Sequence, residues 1–102
     1  VFVKNKRETA NQYQSFCTKN KLNFISEPAH TRSNYWLNAL LLADKKEQIA
    51  FLELANTQGV MSRPVWTLLN ELPMFKDCFV MPLVNSTWLA DRLVNIPSGV
   101  RL

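Results

Sequence analysis

Asp44 and Gly59 bracket a single helix, and that bracket constrains this chain more than any other feature of its sequence. Asp44 is an N-cap whose side chain can accept from first-turn N–H groups. Glu47 stands three residues on as the reciprocal acid, and Gly59 tolerates the left-handed exit that ends a helix. The spacing predicts a helix over 45–57 with Ile49, Phe51, Leu52, Leu54 and Ala55 on its buried face. The periodicity changes on both sides of it. Tyr35 to Leu42 reads as a strand apolar on both faces except at Asn38, the mark of a central strand. Val60 to Trp66 reads as a second strand whose Pro64 cannot donate to a ladder, which places that end at an edge or a bulge.

The rest of the chain repeats the alternation. Ala10, Tyr13, Phe16 and Cys17, with Val3 one heptad ahead of Ala10, form the stripe of an amphipathic helix from Lys4 to about Lys19. Ser26 to Ser33 has neither period and is a loop around Pro28. Leu68 to Asp77 reads as a short helical turn and loop, and Val80 to Val84 as linking chain. Asn85 or Ser86 can cap a short helix from Thr87 to Arg92, and Leu93 to Ile96 fits a third short strand before Pro97. This order predicts a two-layer α+β sandwich, a small, mainly antiparallel sheet of about three strands packed against helices. With no repeat, linker or low-complexity tract, residues 1–102 read as one domain, and at 47% hydrophobic residues it can form a modest core without staples.

Several chemistries are excluded by what the chain contains. Its apolar runs, Ala39–Ala43 and Cys78–Val84, are far below the roughly 18 residues of a membrane span. Val1 to Arg7 carries three positive charges with no apolar run behind it, so no signal peptide is expected and cytoplasm is the expected compartment. Cys17 and Cys78 fit no metal or redox spacing and read as reduced, partly buried thiols. His30 is the only histidine, in a polar loop where it reads as solvated, so no multi-histidine metal site is available from one chain. Glycine occurs only at 59 and 99, which removes phosphate-cradling loops and the nucleophile elbow. Glu27, Glu47 and Asp91 offer no paired-carboxylate arrangement, so a hydrolase reading has no support.

The net charge of +4 is local: residues 1–21 hold Lys4, Lys6, Arg7, Lys19 and Lys21 against Glu8 alone. A phosphate-binding helix face and a solvated helix face both fit this pattern. No aromatic interleaving accompanies the charges, so the solvated face is expected and nucleic acid is not an expected partner. Trp36 and Trp88, among apolar neighbours, are expected as core anchors.

The densest group of unusual residues is Ser33-Asn34-Tyr35-Trp36-Leu37-Asn38 together with the run from Gly59 through Ser62-Arg63-Pro64, Trp66 and Asn70 to Pro73-Met74-Phe75. It resembles the C-terminal small domain of the DegT/DnrJ/StrS family of pyridoxal-phosphate sugar aminotransferases. The similar branch acts on UDP-linked 4-keto-6-deoxy amino sugars, in nonulosonic acid pathways such as that of legionaminic acid, which serve bacterial surface polysaccharides. Arg7, Ala10 and Tyr13 resemble the family's Arg-x-x-x-Ala-x-x-Tyr helix, with the alanine one residue early, and Leu89 to Ser98 resembles its terminal helix and strand. The likeness covers nearly all 102 residues.

The resemblance implies that the cofactor-binding large domain, with its Schiff-base lysine, is not in this sequence. No catalytic residue, metal or cofactor is expected on the chain itself, and pyridoxal phosphate belongs to the parent family. Lys45 and Lys46, in an exposed first turn, lack the desolvation that makes an amine nucleophilic. By carry-over, Arg63 meets a phosphate or carboxylate, Trp66 packs against sugar or nucleobase, and Asn70 bonds a sugar hydroxyl or amide. Asn34 is a further substrate-binding candidate, though asparagines in and just before a buried strand, as Asn34 and Asn38 are, more often satisfy loop backbone groups than touch substrate. Many members have proline at the position of Leu68 and histidine at that of Asn70, and asparagine does not exchange protons near neutral pH. Arg63 has an alternative, an ion pair with Glu71 or Glu27. The expected partner is a second copy or an aminotransferase large domain. A different class of reading is a small binding or regulatory module, self-associating or using its basic first helix on an anionic partner.

Overall fold

In the computed structural model, which describes residues 1–101, the bracketed helix forms as α2, Lys45–Thr57. The Asp44 side chain accepts from the Glu47 N–H at 2.8 Å, and the Glu47 carboxylate accepts from the Ala43 N–H at 2.6 Å, closing the cap from both sides. Gly59 exits at φ +77°, with its N–H donating to the Asn56 carbonyl and Val60 N–H reaching back to that of Ala55. The first helix, α1, runs Phe2–Lys19 and ends by the same device without glycine. Lys21 sits at φ +57° while the Leu22 N–H donates to the Cys17 carbonyl at 2.8 Å.

The sheet has four strands rather than three: β1 (Asn23–Phe24), β2 (Asn38–Leu41), β3 (Arg63–Pro64) and β4 (Leu93–Ile96), in the order β1-β2-β4-β3 and antiparallel throughout. A two-residue edge strand carries no alternation, which is why β1 leaves no trace in the periodicity. The second strand of the prediction contracts to Arg63–Pro64, at an edge as Pro64 requires. The strand predicted from Tyr35 starts only at Asn38, because Tyr35 lies at φ +46° and the Asn34 side chain accepts from the Trp36 N–H at 3.0 Å, making a turn. The short helix α3 spans Val84–Ala90. It begins earlier than predicted, with Asn85 and Ser86 inside it and no side-chain cap.

Both long helices cover one face of the sheet. Cys17 and Tyr13 of α1 and Phe51 and Leu52 of α2 pack on a core of Leu40, Val94 and Ile96, with Phe24 and Leu42 alongside. The alternate residues, Ala39, Leu41, Leu93 and Asn95, point to the opposite face and stay partly exposed.

Four packing expectations are corrected. The buried stripe of α2 is Gln48, Phe51, Leu52 and Ala55, whereas Ile49 and Leu54 are exposed. Gln48 takes the core position because its Nε2 donates to the carbonyls of Ala90 and Leu93 at 2.9 and 2.8 Å, and its Oε1 accepts from Lys45. On α1, Phe16 faces solvent while Thr9, Ala10 and Cys17 are buried. Neither Trp36 nor Trp88 is a core anchor: both are exposed, Trp36 against Trp66 and Trp88 beneath the Arg92 guanidinium at 4.4 Å. Cys78 is exposed rather than partly buried. Among the described residues, no helix is long and apolar enough to cross a membrane.

Candidate functional site

Arg63 lies at the outer edge of the sheet, and its placement comes from α2. The carboxamide of Asn56, near the end of that helix, accepts from the Ser62 N–H at 3.1 Å and donates to the Ser62 carbonyl at 3.0 Å. It pairs with Ser62 as a neighbouring strand would, burying Ser62 completely and fixing the residue that follows. Across the ladder, Arg63 is the register partner of Asn95. Among the described residues, the Arg63 side chain makes only a 3.3 Å contact to the adjacent Ser62 carbonyl. No salt bridge among the described residues includes Arg63, so neither proposed partner, Glu71 or Glu27, holds it.

A groove of about 610 Å³ opens beside Arg63, walled by Trp36, Met61, Trp66, Asn95 and Ser98. Its volume falls in the range of small-molecule sites. The two indoles meet at 5.9 Å with planes 56° apart, an angled aromatic wall, and Trp66 remains 70% exposed. Ser98 in the wall is held by buried Asn38, whose backbone N–H and Nδ2 both donate to the Ser98 hydroxyl, which in turn donates to the Ile96 carbonyl. The arrangement offers one unpaired cation, one carboxamide and two apolar planes. Such a set suits an anion attached to a ring.

The structure therefore joins two of the four candidates and separates the others. Asn34 is exposed and its side-chain oxygen is spent on the Trp36 N–H, the backbone-satisfying alternative, although that turn orients Trp36 in the groove wall. Asn70 lies in a different concavity, of about 470 Å³, formed by Leu68, Phe75, Phe79 and Leu83. Its Oδ1 is buried there without a partner among the described residues. The sequence reading missed Asn95 and Trp36 as groove residues. Asn95 could be found only from the sheet register, since alternation along β4 shows that it faces away from Val94 and Ile96 but not what stands beside it.

The most perturbed ionisable pair lies elsewhere and closes on itself. Arg7 of α1 makes a forked contact to Glu27, 2.8 and 2.6 Å, and also donates to the Ser33 carbonyl at 2.7 Å. The Ser33 N–H donates to Glu27 at 2.6 Å, and the Glu27 N–H donates to the Tyr35 hydroxyl. The Arg7 guanidinium, then the Ser33 N–H, hold the Glu27 carboxyl down to about 2. With its donors and acceptors matched internally, this clasp fastens α1 to the loop that leads to Trp36. The other helix-one charges are partly engaged as well: Lys6 donates to the Ser98 carbonyl at 2.6 Å, and Lys4 lies 4.0 Å from Glu8. The basic patch is therefore smaller than its sequence count.

The residues present do not fit a pyridoxal-phosphate site. Every lysine except half-buried Lys6 is exposed, and Lys45 stands 3.7 Å from Asp91 in the open first turn of α2. Schiff-base chemistry needs a desolvated amine, which none of them provides. No protein-family model and no curated protein matches this sequence.

Proposed function

We propose that this chain is the lid half of a nucleotide-sugar aminotransferase of the DegT/DnrJ/StrS type. In this reading it binds the nucleotide-sugar substrate in the Arg63–Trp66 groove, and the reactive amine and pyridoxal phosphate reside on a separate large domain. It acts in the cytoplasm on a UDP-linked 4-keto-6-deoxy amino sugar destined for surface polysaccharide, and it is inactive without that large domain. The observation that carries the reading is the groove itself: an uncompensated guanidinium at a sheet edge beside two exposed indoles. Arg63 supplies a forked contact to a phosphate, and the indoles supply planes for a ring. Among the described residues Arg63 pairs with no carboxylate and Trp66 is largely exposed, so neither is needed to stabilise the fold.

A broad apolar surface supports the partner part of the reading. Leu69, Met74, Phe79 and Met81, between β3 and α3, and Val84 at the start of α3 are all exposed, with Phe79 at 91%. Exposed apolar area of this extent marks an interface. A large domain or a second copy is its occupant in this reading.

Tryptophan fluorescence tests the site. Titration with a UDP-linked 4-amino-6-deoxy sugar is expected to quench Trp36 and Trp66 saturably, and Arg63→Ala is expected to weaken binding about tenfold or more, the effect of removing a charge-assisted hydrogen bond. Absence of saturable quenching, or binding indifferent to Arg63→Ala, would contradict the reading.

A further inference from the structure

The register of the sheet places a second polar group beside Arg63. Asn95 of β4 is its Cα partner across the ladder, and both residues line the same groove. Alternation along β4 turns Val94 and Ile96 into the core and Asn95 away from it, so the carboxamide is half-buried on the groove side. None of the side-chain hydrogen bonds among the described residues involves that carboxamide, whereas the side-chain amides of Asn38, Asn56 and Gln48 each donate to a backbone or hydroxyl partner. A partly desolvated amide left without an internal partner is suited to an external one.

We infer that Asn95 reads the imide edge of the uracil ring while Arg63 holds the attached diphosphate, which makes Asn95 a specificity-determining residue for the uridine part of the substrate; this rests on the nucleotide-sugar reading above. A carboxamide presents one acceptor and two donors. The uracil imide presents the complement, a ring N–H beside carbonyl oxygens. The indoles of Trp36 and Trp66 line the same groove, and their faces match a planar base rather than a puckered sugar.

The test compares uridine diphosphate with uridine diphosphate methylated at ring nitrogen 3, each titrated into the full chain and followed by tryptophan fluorescence. Unmodified ligand is expected to bind saturably. Methylation of the ligand and the Asn95→Ala substitution are each expected to weaken binding about tenfold, and together they should cost little more than either alone, because both delete the same pair of hydrogen bonds. The methylated ligand needs no mutation, so it decides the matter even if Asn95→Ala disturbs folding. If the chain binds uridine diphosphate and the methylated form equally well, the role of Asn95 is overturned while the nucleotide-sugar site stands. If it binds neither, the nucleotide-sugar reading falls and this inference with it.

Discussion

Lys21 and Gly59 do the same job at the ends of two helices, and only one of them is built for it. Each takes positive φ, +57° and +77°, so that the next N–H can return to a carbonyl of the last turn. A side chain in that region costs about 1 kcal/mol, and an added Cβ at Gly59 would otherwise meet open space. Lys21→Gly is therefore expected to stabilise the protein by about 1 kcal/mol and Gly59→Ala to destabilise it by about as much, read from urea midpoints. Gly59 announces its helix end in the sequence, whereas Lys21 is silent because nothing about lysine signals a left-handed residue. Glu27 makes a second residue-scale prediction. Its folded-state value, about 2, lies below the ordinary 4.5, so the clasp contributes fully above pH 4.5 and loses its contribution as pH falls toward 2. Glu27→Gln should lower the melting temperature at pH 7 and flatten its decline across that acid window; an unchanged acid slope would show that the clasp is idle.

At the scale of elements, α2 shows how far a sequence speaks and where it stops. Both of its ends are written locally, by Asp44 with Glu47 and by Gly59, and its bounds agree with the structure. The phase of its buried stripe is not local. Ile49 and Leu54 outweigh Gln48 on any hydropathy count, yet Gln48 is inside because the carbonyls of Ala90 and Leu93, more than forty residues away, need its donors. Gln48→Leu is expected to destabilise the fold by about 2 kcal/mol by stranding those carbonyls, while Ile49→Ala should change stability by well under 1 kcal/mol. Thermal melts of the two variants check the order; the reverse order would restore the apolar stripe. The same limit governs the groove. Arg63 and Trp66 stand out as residues, but their meeting with Trp36 and Asn95 depends on a turn at Tyr35 and on strand register, neither of which is a local property.

The whole molecule has a radius of gyration of 15.4 Å, against about 13 Å for a compact domain of roughly 100 residues. The excess agrees with a small set of fully buried hydrophobic residues and with the exposed apolar stretch running from Leu69 to Val84. A surface of this kind associates, so the isolated chain is expected to sediment as a dimer or larger species at high concentration, and a clean monomer would count against the interface. In the proposed enzyme that surface and the Arg63 groove work together: one seats the large domain, the other presents the nucleotide end of the substrate to it. The most direct test is to mix the chain with the lysine-bearing large domain of a nucleotide-sugar aminotransferase of this family, loaded with pyridoxal phosphate, and to measure amino transfer to a UDP-linked 4-keto-6-deoxy sugar by product mass. Turnover should be absent with either component alone and appear on mixing, diminished by Arg63→Ala. Turnover by this chain alone, or none from the mixture despite a stable complex, would contradict the account.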